Sequence, residues 1–407
     1  QVLSSDGCNH RCDYCTHSAL SDHLQRESMP AETSSLPGAG NRHRRMIRRP
    51  VDDFADEVAA LYHRKGVRFF HLADQNPVPD READALQWIA ELKAALAARN
   101  VMEPCFSLLT RGDALTPQVI DALADLGLMK TLMGLESAGN DGLAQLGRTG
   151  DSFHGMASLE HLIARDVIVH CNCLILHPDS SAASIRSELH GLEHIHHAVF
   201  DAVKLRSYSG TETYRRLQRD HRLIGGGLFA SFGIDDPIVR SFGIGLNRFR
   251  KEVTGPVDPA FRLNDLLISA HLYRRFGRNG ERAESILSDV WEAVERVNRF
   301  RQRTLGYLLD AAENFRSTDF TLRMAAREYA DLSALLDRLA LRLEELDDGC
   351  RVGTFYRQMA SAAVLIMAVS MGSACDRLEK GDLRDSESEG SSDDNGDTDS
   401  DTGNDAD

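Results

Sequence analysis

The stretch VDDFADEVAALYHRKGVRFFHLAD, residues 51–74, contains a helix pattern followed by a strand pattern. Phe54 and Val58 lie on one face of the helix pattern, and Gly66 is typical of a helix C-terminus. The apolar run VRFFHLAD, residues 67–74, then predicts a short strand that ends at a carboxylate. This stretch therefore predicts one helix–strand unit of an α/β fold.

The same alternation extends over the first half of the chain. Strand-like runs occupy residues 1–5, 67–74, 102–110, 129–137, 167–176 and 198–207. Helical patterns lie between them at 51–66, 81–100, 116–127, 152–165 and 180–196. Strands and helices that alternate in this way predict a parallel sheet with right-handed crossovers. Because the segments after the strands are polar, we expect a partial (β/α)6, TIM-like barrel with its site at the carboxyl ends of the strands.

The second half of the chain has a different composition. It contains long helical patterns, and its last apolar run, residues 359–375, is short for a bilayer span and predicts a buried helix. Residues 376–407 are acidic and almost without apolar side chains, which predicts a disordered tail. We therefore predict a barrel domain over 1–255, an all-helical C-terminal domain over 256–375 and an acidic tail.

The charge and the cysteine content exclude several protein classes. The tail contributes −10 of the net charge of −15, and no basic stripe typical of nucleic-acid binding is evident. Eight cysteines in 407 residues are too few for a disulfide scaffold and are typical of a reduced compartment with metal or redox chemistry. No secretory signal or membrane segment is visible, so we expect a cytoplasmic protein. The start at Gln1, without a methionine, favours a fragment of a longer protein.

Three cysteines follow the first strand pattern. Cys8, Cys12 and Cys15 lie within the motif CNHRCDYC, and no fourth cysteine follows nearby. Thiolates are soft ligands that suit zinc or iron–sulfur clusters. Three thiolates on a four-iron cluster leave one iron open to another ligand, as in a catalytic metal site.

A zinc site is the alternative for this loop. His10 or His17 could then supply the fourth ligand. Cys105, Cys171 and Cys173 lie in strand patterns, where a small apolar cysteine is common in a core.

The spacing C-x3-C-x2-C, with the aromatic Tyr14 before the last cysteine, resembles the signature of the radical S-adenosylmethionine superfamily. FFHLADQN (69–76) resembles its second strand, LLTRGDALTPQVIDALADLG (108–127) its third strand and helix, and LMGLESAGNDGLAQLGR (132–148) its fourth strand. The resemblance implies a [4Fe-4S] cluster on the three cysteines. It implies cofactor-binding roles for Tyr14, Asp74, Gln75, Arg111 and Glu136, with Asp74 and Gln75 near the amino group of S-adenosylmethionine and Glu136 near its methionine or ribose part.

The fifth strand departs from the superfamily pattern. It reads CLILHPDSS (173–181), with His177 where a glycine is expected. His177 either lines the substrate cavity or fills the turn. The region after the sixth strand, LRSYSGTETYRRL (205–217), again resembles the pattern.

The resemblance implies reductive cleavage of S-adenosylmethionine to a 5′-deoxyadenosyl radical, with electrons from a flavodoxin- or ferredoxin-type donor. The segment 48–77 and the GLES block look most like the cobalamin-associated, elongator-like branch. This implies cobalamin-dependent methylation or related C–H functionalisation of a small-molecule or peptide substrate, with cobalamin bound by a domain absent from this chain. The alternatives are a cobalamin-independent rearrangement, methylthiolation or peptide modification, and a non-catalytic iron–sulfur or zinc scaffold.

Overall fold

The computed structural model describes residues 1–8, 10, 12–17, 46–112, 115–138, 146, 155–255 and 258–346. All of them belong to one compact unit, Gln1–Val364. The predicted buried helix at 359–375 and the predicted acidic tail lie outside the described residues. The domain boundaries at 255 and 375 stay predictions.

The described residues form ten strands and ten α-helices. The strands are β1 Ser5–Asp6, β2 Ile47–Arg48, β3 Phe69–His71, β4 Cys105–Arg111, β5 Leu128–Glu136, β6 Ile168–Leu176, β7 Val199–Lys204, β8 Ser207–Tyr208, β9 Leu223–Ile224 and β10 Phe229–Phe232. The helices are α1 Val51–Lys65, α2 Glu82–Ala98, α3 Pro117–Leu126, α4 Gly155–Ala164, α5 Ala182–Leu192, α6 Glu212–Arg219, α7 Pro237–Arg248, α8 Pro259–Phe276, α9 Gly280–Glu313 and α10 Asp319–Glu344. A π-helical segment, Phe249–Thr254, continues α7.

The main sheet is parallel and confirms the predicted α/β barrel architecture. Its five strands stand in the order β3-β4-β5-β6-β7, which is also their order in the chain. The first predicted strand, 1–5, is reduced to one parallel bridge between Val2 and Leu72, so it adds a sixth position at the edge of the sheet. The strand that follows, β1, pairs with β2 in an antiparallel ribbon in which Ser5 lies opposite Arg48.

The two faces of the sheet differ in burial. Along β5 the outward side chains Thr131, Met133 and Leu135 are buried, whereas Lys130 and Glu136 on the inward face are only half-buried. Strand residues alternate between faces, so the inward face of β5 keeps accessible surface along its length. This face lines the lumen of the partial barrel.

The C-terminal region is helical, as predicted, and α8 closes one end of the lumen. Asn264 of α8 lies 2.9 Å from His170 of β6. Farther along α8, Arg275 lies 3.5 Å from the sulfur of Cys105 at the start of β4. These partners lie in the amino-terminal halves of their strands, so α8 forms the floor of the lumen beneath the carboxyl-terminal site.

Candidate functional site

The three cysteines lie together in the loop after β1. The backbone N–H of Cys15 donates to the carbonyl of Cys12 at 3.0 Å, which closes a tight turn. Burial raises the pKa of the Cys8 thiol, and the neighbouring Cys12 and Cys15 raise it further. Three half-buried thiols within mutual electrostatic reach form a donor set that suits an iron–sulfur cluster with one open iron.

Two contacts hold this loop against the rest of the site. The carbonyl of Asp13 accepts from the N–H of Thr213, at the start of α6, at 3.0 Å. Tyr14 packs against a small apolar cluster. That cluster consists of Leu146, Leu205, Leu217 and Phe232. The aromatic residue of the motif therefore anchors the loop to β10, α6 and the segment after β7.

Asp74 ties the amino terminus of the chain to the end of β3. One carboxylate oxygen accepts from the hydroxyls of Ser4 at 2.8 Å and Ser5 at 2.5 Å, and the other accepts from the N–H of Ser4 at 3.1 Å. Gln75 then accepts from the N–H of Gly7 at 3.1 Å, one residue before the cysteine motif. In this structure both side chains position the cysteine loop, and their contact with S-adenosylmethionine stays a prediction.

Asn76 is a site residue that the sequence reasoning missed. Its amide is 1% exposed, and neither its oxygen nor its nitrogen has a hydrogen-bond partner among the described residues. Buried amides in native proteins are nearly always satisfied, so this one calls for a polar ligand or an ordered water. The signal in the sequence was its place directly after Asp74 and Gln75.

Arg111 reaches the cysteine loop from the carboxyl end of β4. Its Nη1 atom lies 3.3 Å from the sulfur of Cys12. A guanidinium beside a thiol favours the thiolate, which is the form that binds iron. The structure therefore places Arg111 next to the cysteine motif, and its predicted contact with S-adenosylmethionine stays a prediction.

Glu136 closes β5 in a strained backbone conformation. Its φ is +62°, in the left-handed region, and the register with β6 is irregular between Gly134 and this residue. A Cβ at Gly134 would lie 2.8 Å from the carboxylate oxygen of Glu136, so the glycine leaves space for that carboxylate. Such strain persists only where the surroundings enforce it, and it concentrates at functional sites.

Helix α5 supplies the groups that enforce this conformation. Glu188 is buried and accepts from the hydroxyl of Ser137 and, at 2.7 Å, from the N–H of Ala138. Gly191, one turn later, approaches the same segment so closely that an added Cβ would lie 2.5 Å from that of Ala138. Both contacts lie directly after Glu136 in the chain.

His177 lies in the turn after β6. It is 5% exposed, its N–H donates to the hydroxyl of Ser180 at 2.9 Å, and its Nδ1 accepts from the N–H of Asp179 at 3.3 Å. Burial lowers its pKa, so the ring is neutral at physiological pH. Asp179 in turn is bound by Arg216 of α6 at 2.5 Å. These contacts place His177 as a residue that shapes the turn.

The residues considered as ligands of a zinc site do not surround a common position with the cysteine motif in the described part of the chain. The Nε2 atom of His10 lies 3.0 Å from Asp80. Cys105, Cys171 and Cys173 are buried within β4 and β6, as predicted. Within the ranges that the structure describes, no three His, Cys, Asp or Glu side chains surround a position for a single metal ion. Likewise, no helix in those ranges is both long and apolar enough to cross a membrane.

Comparisons with known proteins fit this geometry. Residues 2–187 match the family model described as the Radical SAM superfamily. No curated protein matches the sequence. Among solved structures, the chain resembles the cobalamin-dependent S-adenosylmethionine radical enzyme OxsB with aqua-cobalamin and S-adenosylmethionine bound, at 13% identity and a TM-score of 0.53 over 91% of this chain and 58% of that one.

Two further structures are similar over smaller shares. The radical S-adenosylmethionine methyltransferase TsrM from Kitasatospora setae matches at 17% identity with a TM-score of 0.42, over 58% of this chain and 43% of that one. Elp3 of the archaeon Methanocaldococcus infernus matches at 15% identity with a TM-score of 0.31, over 42% and 45%. The chain spans less than two thirds of OxsB, and at such identity the likeness concerns the fold. Residues 2–187, which make up slightly less than half of the chain, therefore match the radical S-adenosylmethionine superfamily.

Proposed function

We propose that this protein is a radical S-adenosylmethionine enzyme that binds a [4Fe-4S] cluster through Cys8, Cys12 and Cys15. The observation that carries the proposal is the contact of Arg111 with Cys12 at 3.3 Å, which holds the three-thiol loop at the carboxyl edge of the parallel sheet. When bound, the cluster and S-adenosylmethionine supply one-electron cleavage of the sulfonium and a 5′-deoxyadenosyl radical. A flavodoxin- or ferredoxin-type donor would deliver the electron.

The residues around the loop have distinct roles in this proposal. Arg111 stabilises the thiolate form of Cys12. Asn76 offers an unsatisfied amide, and Glu136 a carboxylate on a strained backbone, to the amino, carboxylate or ribose groups of S-adenosylmethionine. Asp74 and Gln75 hold the loop through the hydrogen bonds described above. The half-buried lumen beneath them receives the substrate and limits its exposure to water.

We further propose that the reaction is a cobalamin-dependent methylation or a related C–H functionalisation. The support is the fold likeness to OxsB over 91% of this chain, since that structure holds aqua-cobalamin and S-adenosylmethionine. Cobalamin would be bound by a part of the protein outside this sequence. A full-length protein that is purified with cobalamin present and binds none would contradict this part of the proposal.

Anaerobic reconstitution with iron and sulfide tests the cluster. We expect the wild-type protein to take up four irons per chain and to show an electron paramagnetic resonance signal that changes when S-adenosylmethionine is added. Cys12→Ala should lose the cluster, because one of three thiolates is removed. Cys171→Ala is the matched control, since Cys171 is buried in β6 and should leave the iron content unchanged. A wild-type protein that binds one zinc ion instead would overturn the proposal.

A further inference from the structure

The lumen extends far below the candidate site. On β5 the inward residues Lys130, Leu132, Gly134 and Glu136 all remain half-buried, whereas their outward neighbours are buried. Glu136 at the upper edge lies six positions after Lys130 near the floor, which corresponds to about 20 Å along the strand. A substrate group can therefore lie well away from the reacting end.

Lys130 is a charged residue deep inside the barrel. By register it lies beside Ser107 of β4 and Ile168 of β6 on the inward face. Asp265 of α8 attracts its ammonium, but no hydrogen bond or ion pair joins that ammonium to another described residue. Lys130 keeps part of its surface exposed, but burial still lowers the pKa of its ammonium, so the surroundings solvate this charge less well than water does.

Two further polar groups at the floor lack partners. The amide nitrogen of Asn264 donates to Nδ1 of His170 at 2.9 Å, so Nε2 of that ring carries its proton. His170 and Asn264 are 4% and 2% exposed. Nε2 of His170 and the amide oxygen of Asn264 have no hydrogen-bond partner among the described residues. His170 lies on the inward face, because it is in register with Leu132.

We propose that the floor of the lumen binds an anionic group of the substrate, a carboxylate or a phosphate, through the ammonium of Lys130 and the Nε2–H of His170. A neutral imidazole N–H and a lysine ammonium are both donors, which is what an anion requires. Asp265 neutralises Lys130 when the anion is absent. That this anion belongs to the substrate rests on the proposed function. The binding of an anion at the floor does not depend on that function.

The charges around Lys130 fit this role. Burial lowers its pKa to about 8, while Asp265 opposes that change, so the ammonium form prevails at pH 7. Burial and the charges of Lys130 and Arg301 lower the pKa of His170 to about 3, so that ring stays neutral. His71, on β3, also faces Lys130 and has a lowered pKa, mainly because of burial. Anion binding should therefore weaken as the pH rises through the pKa of Lys130.

Isothermal titration calorimetry of the reconstituted protein tests the proposal with three probes. Inorganic phosphate and hexanoate represent the two kinds of anion, and hexanamide is a neutral molecule of the same shape as hexanoate. We expect at least one anion to bind tenfold more tightly than hexanamide at pH 7, with that preference lost at pH 9.5. Whichever anion binds more tightly identifies the group that the substrate carries.

Variants assign this binding to the floor. Lys130→Met should weaken anion binding at least tenfold, whereas Lys93→Met, at an exposed position on α2, should not change it. Asp265→Asn should strengthen it, because a negative charge next to the anion is removed. Equal binding by wild type and Lys130→Met, or binding of neither anion by the wild type, would overturn the proposal. Because calorimetry needs no cleavage of S-adenosylmethionine, this result is independent of the cluster experiment.

Discussion

Glu136 has the most constrained backbone among the proposed cofactor-binding residues. A glutamate at a φ of +62° costs of the order of 1 kcal/mol or more relative to a residue that tolerates the left-handed region. A structural role alone would favour glycine or asparagine at this position. The strain therefore indicates that the carboxylate itself is needed at the end of β5.

Glu136→Gly removes the carboxylate and relieves the backbone strain at the same time, so its stability and its affinity for S-adenosylmethionine should respond differently. We expect its free energy of unfolding to stay within about 1 kcal/mol of wild type, because relief of strain offsets the flexibility of glycine. Its affinity for S-adenosylmethionine should fall at least tenfold in equilibrium binding. Asn100→Gly is the control, because Asn100 also has a positive φ, +54°, in the turn after α2, and should keep full affinity. Unchanged affinity in Glu136→Gly would remove Glu136 from the site.

Lys130 should make the folded state less stable at neutral pH. Its pKa falls from 10.5 to about 8 on folding, so the folded state binds fewer protons than the unfolded state between these two values. The free-energy penalty is fully present below pH 8 and disappears as the pH rises to about 10.5.

Urea unfolding at two pH values measures this penalty. We expect Lys130→Met to be more stable than wild type at pH 7 by roughly 1–3 kcal/mol, with a smaller difference at pH 10. A variant that is less stable than wild type at pH 7 would show that Lys130 stabilises the fold and does not serve a ligand.

At the scale of elements, α5 controls the segment after β5. The carboxylate of Glu188 accepts from Ser137 and Ala138, and Gly191 allows the helix to approach that segment closely. Because Ser137 and Ala138 directly follow Glu136, we propose that both residues act by positioning Glu136.

Glu188→Ala removes the carboxylate that accepts from the hydroxyl of Ser137 and the N–H of Ala138. We expect a loss of roughly 2–4 kcal/mol in the free energy of unfolding. The KM for S-adenosylmethionine should rise more than kcat falls, and Glu188→Gln should recover part of this loss, because its amide oxygen can still accept from Ala138. The exposed Glu193, just after α5, is the matched control, and Glu193→Ala should behave like wild type. If KM does not change in Glu188→Ala, its role is only structural.

Gly191→Ala tests the close approach of α5. The new methyl would clash with the methyl of Ala138, so we expect a loss of about 1–3 kcal/mol in the free energy of unfolding. Ala138→Gly in the same chain should recover part of that loss, since one of the two clashing groups is removed. Additive losses in the double variant would contradict the predicted contact.

The elements of the barrel could be predicted because their patterns are local. The strand pattern at 167–176 became β6, Ile168–Leu176, and the helix pattern at 116–127 became α3, Pro117–Leu126. Thr116 caps α3 at the start of that pattern, since its side chain accepts from the N–H of Val119. No element is predicted for the segment 207–255, although Thr211 and Asp236 in it are the cap residues of α6 and α7.

The site was only partly predictable, because part of it depends on contacts between distant segments. The cysteine spacing and the carboxylate at the end of β5 are visible in the sequence. The hydrogen bond from Ala138 to Glu188 joins residues 50 positions apart. The contact between Asn264 and His170 at the floor of the lumen joins residues 94 positions apart. A local sequence pattern predicts neither contact. The sequence shows Lys130 as a charged residue in an apolar strand. That its side chain lies on the inward face of the sheet could be seen only in the structure.

At the scale of the whole molecule, the two proposed sites lie at opposite ends of one parallel sheet. Its carboxyl edge holds the cysteine loop, Arg111 and Glu136, and its amino end, closed by α8, holds Lys130 and His170. The lumen between them is long enough for a substrate that is held at one end and reacts at the other. We propose that the carboxyl edge uses S-adenosylmethionine as a source of radicals.

Release of 5′-deoxyadenosine tests that claim most directly. The reconstituted protein is reduced anaerobically with S-adenosylmethionine, and the products are separated by liquid chromatography and mass spectrometry. We predict 5′-deoxyadenosine and methionine from the wild type and from Cys171→Ala, and none above background from Cys12→Ala. A fully loaded wild-type cluster that yields no 5′-deoxyadenosine, with substrate-like anions present or absent, would contradict the account.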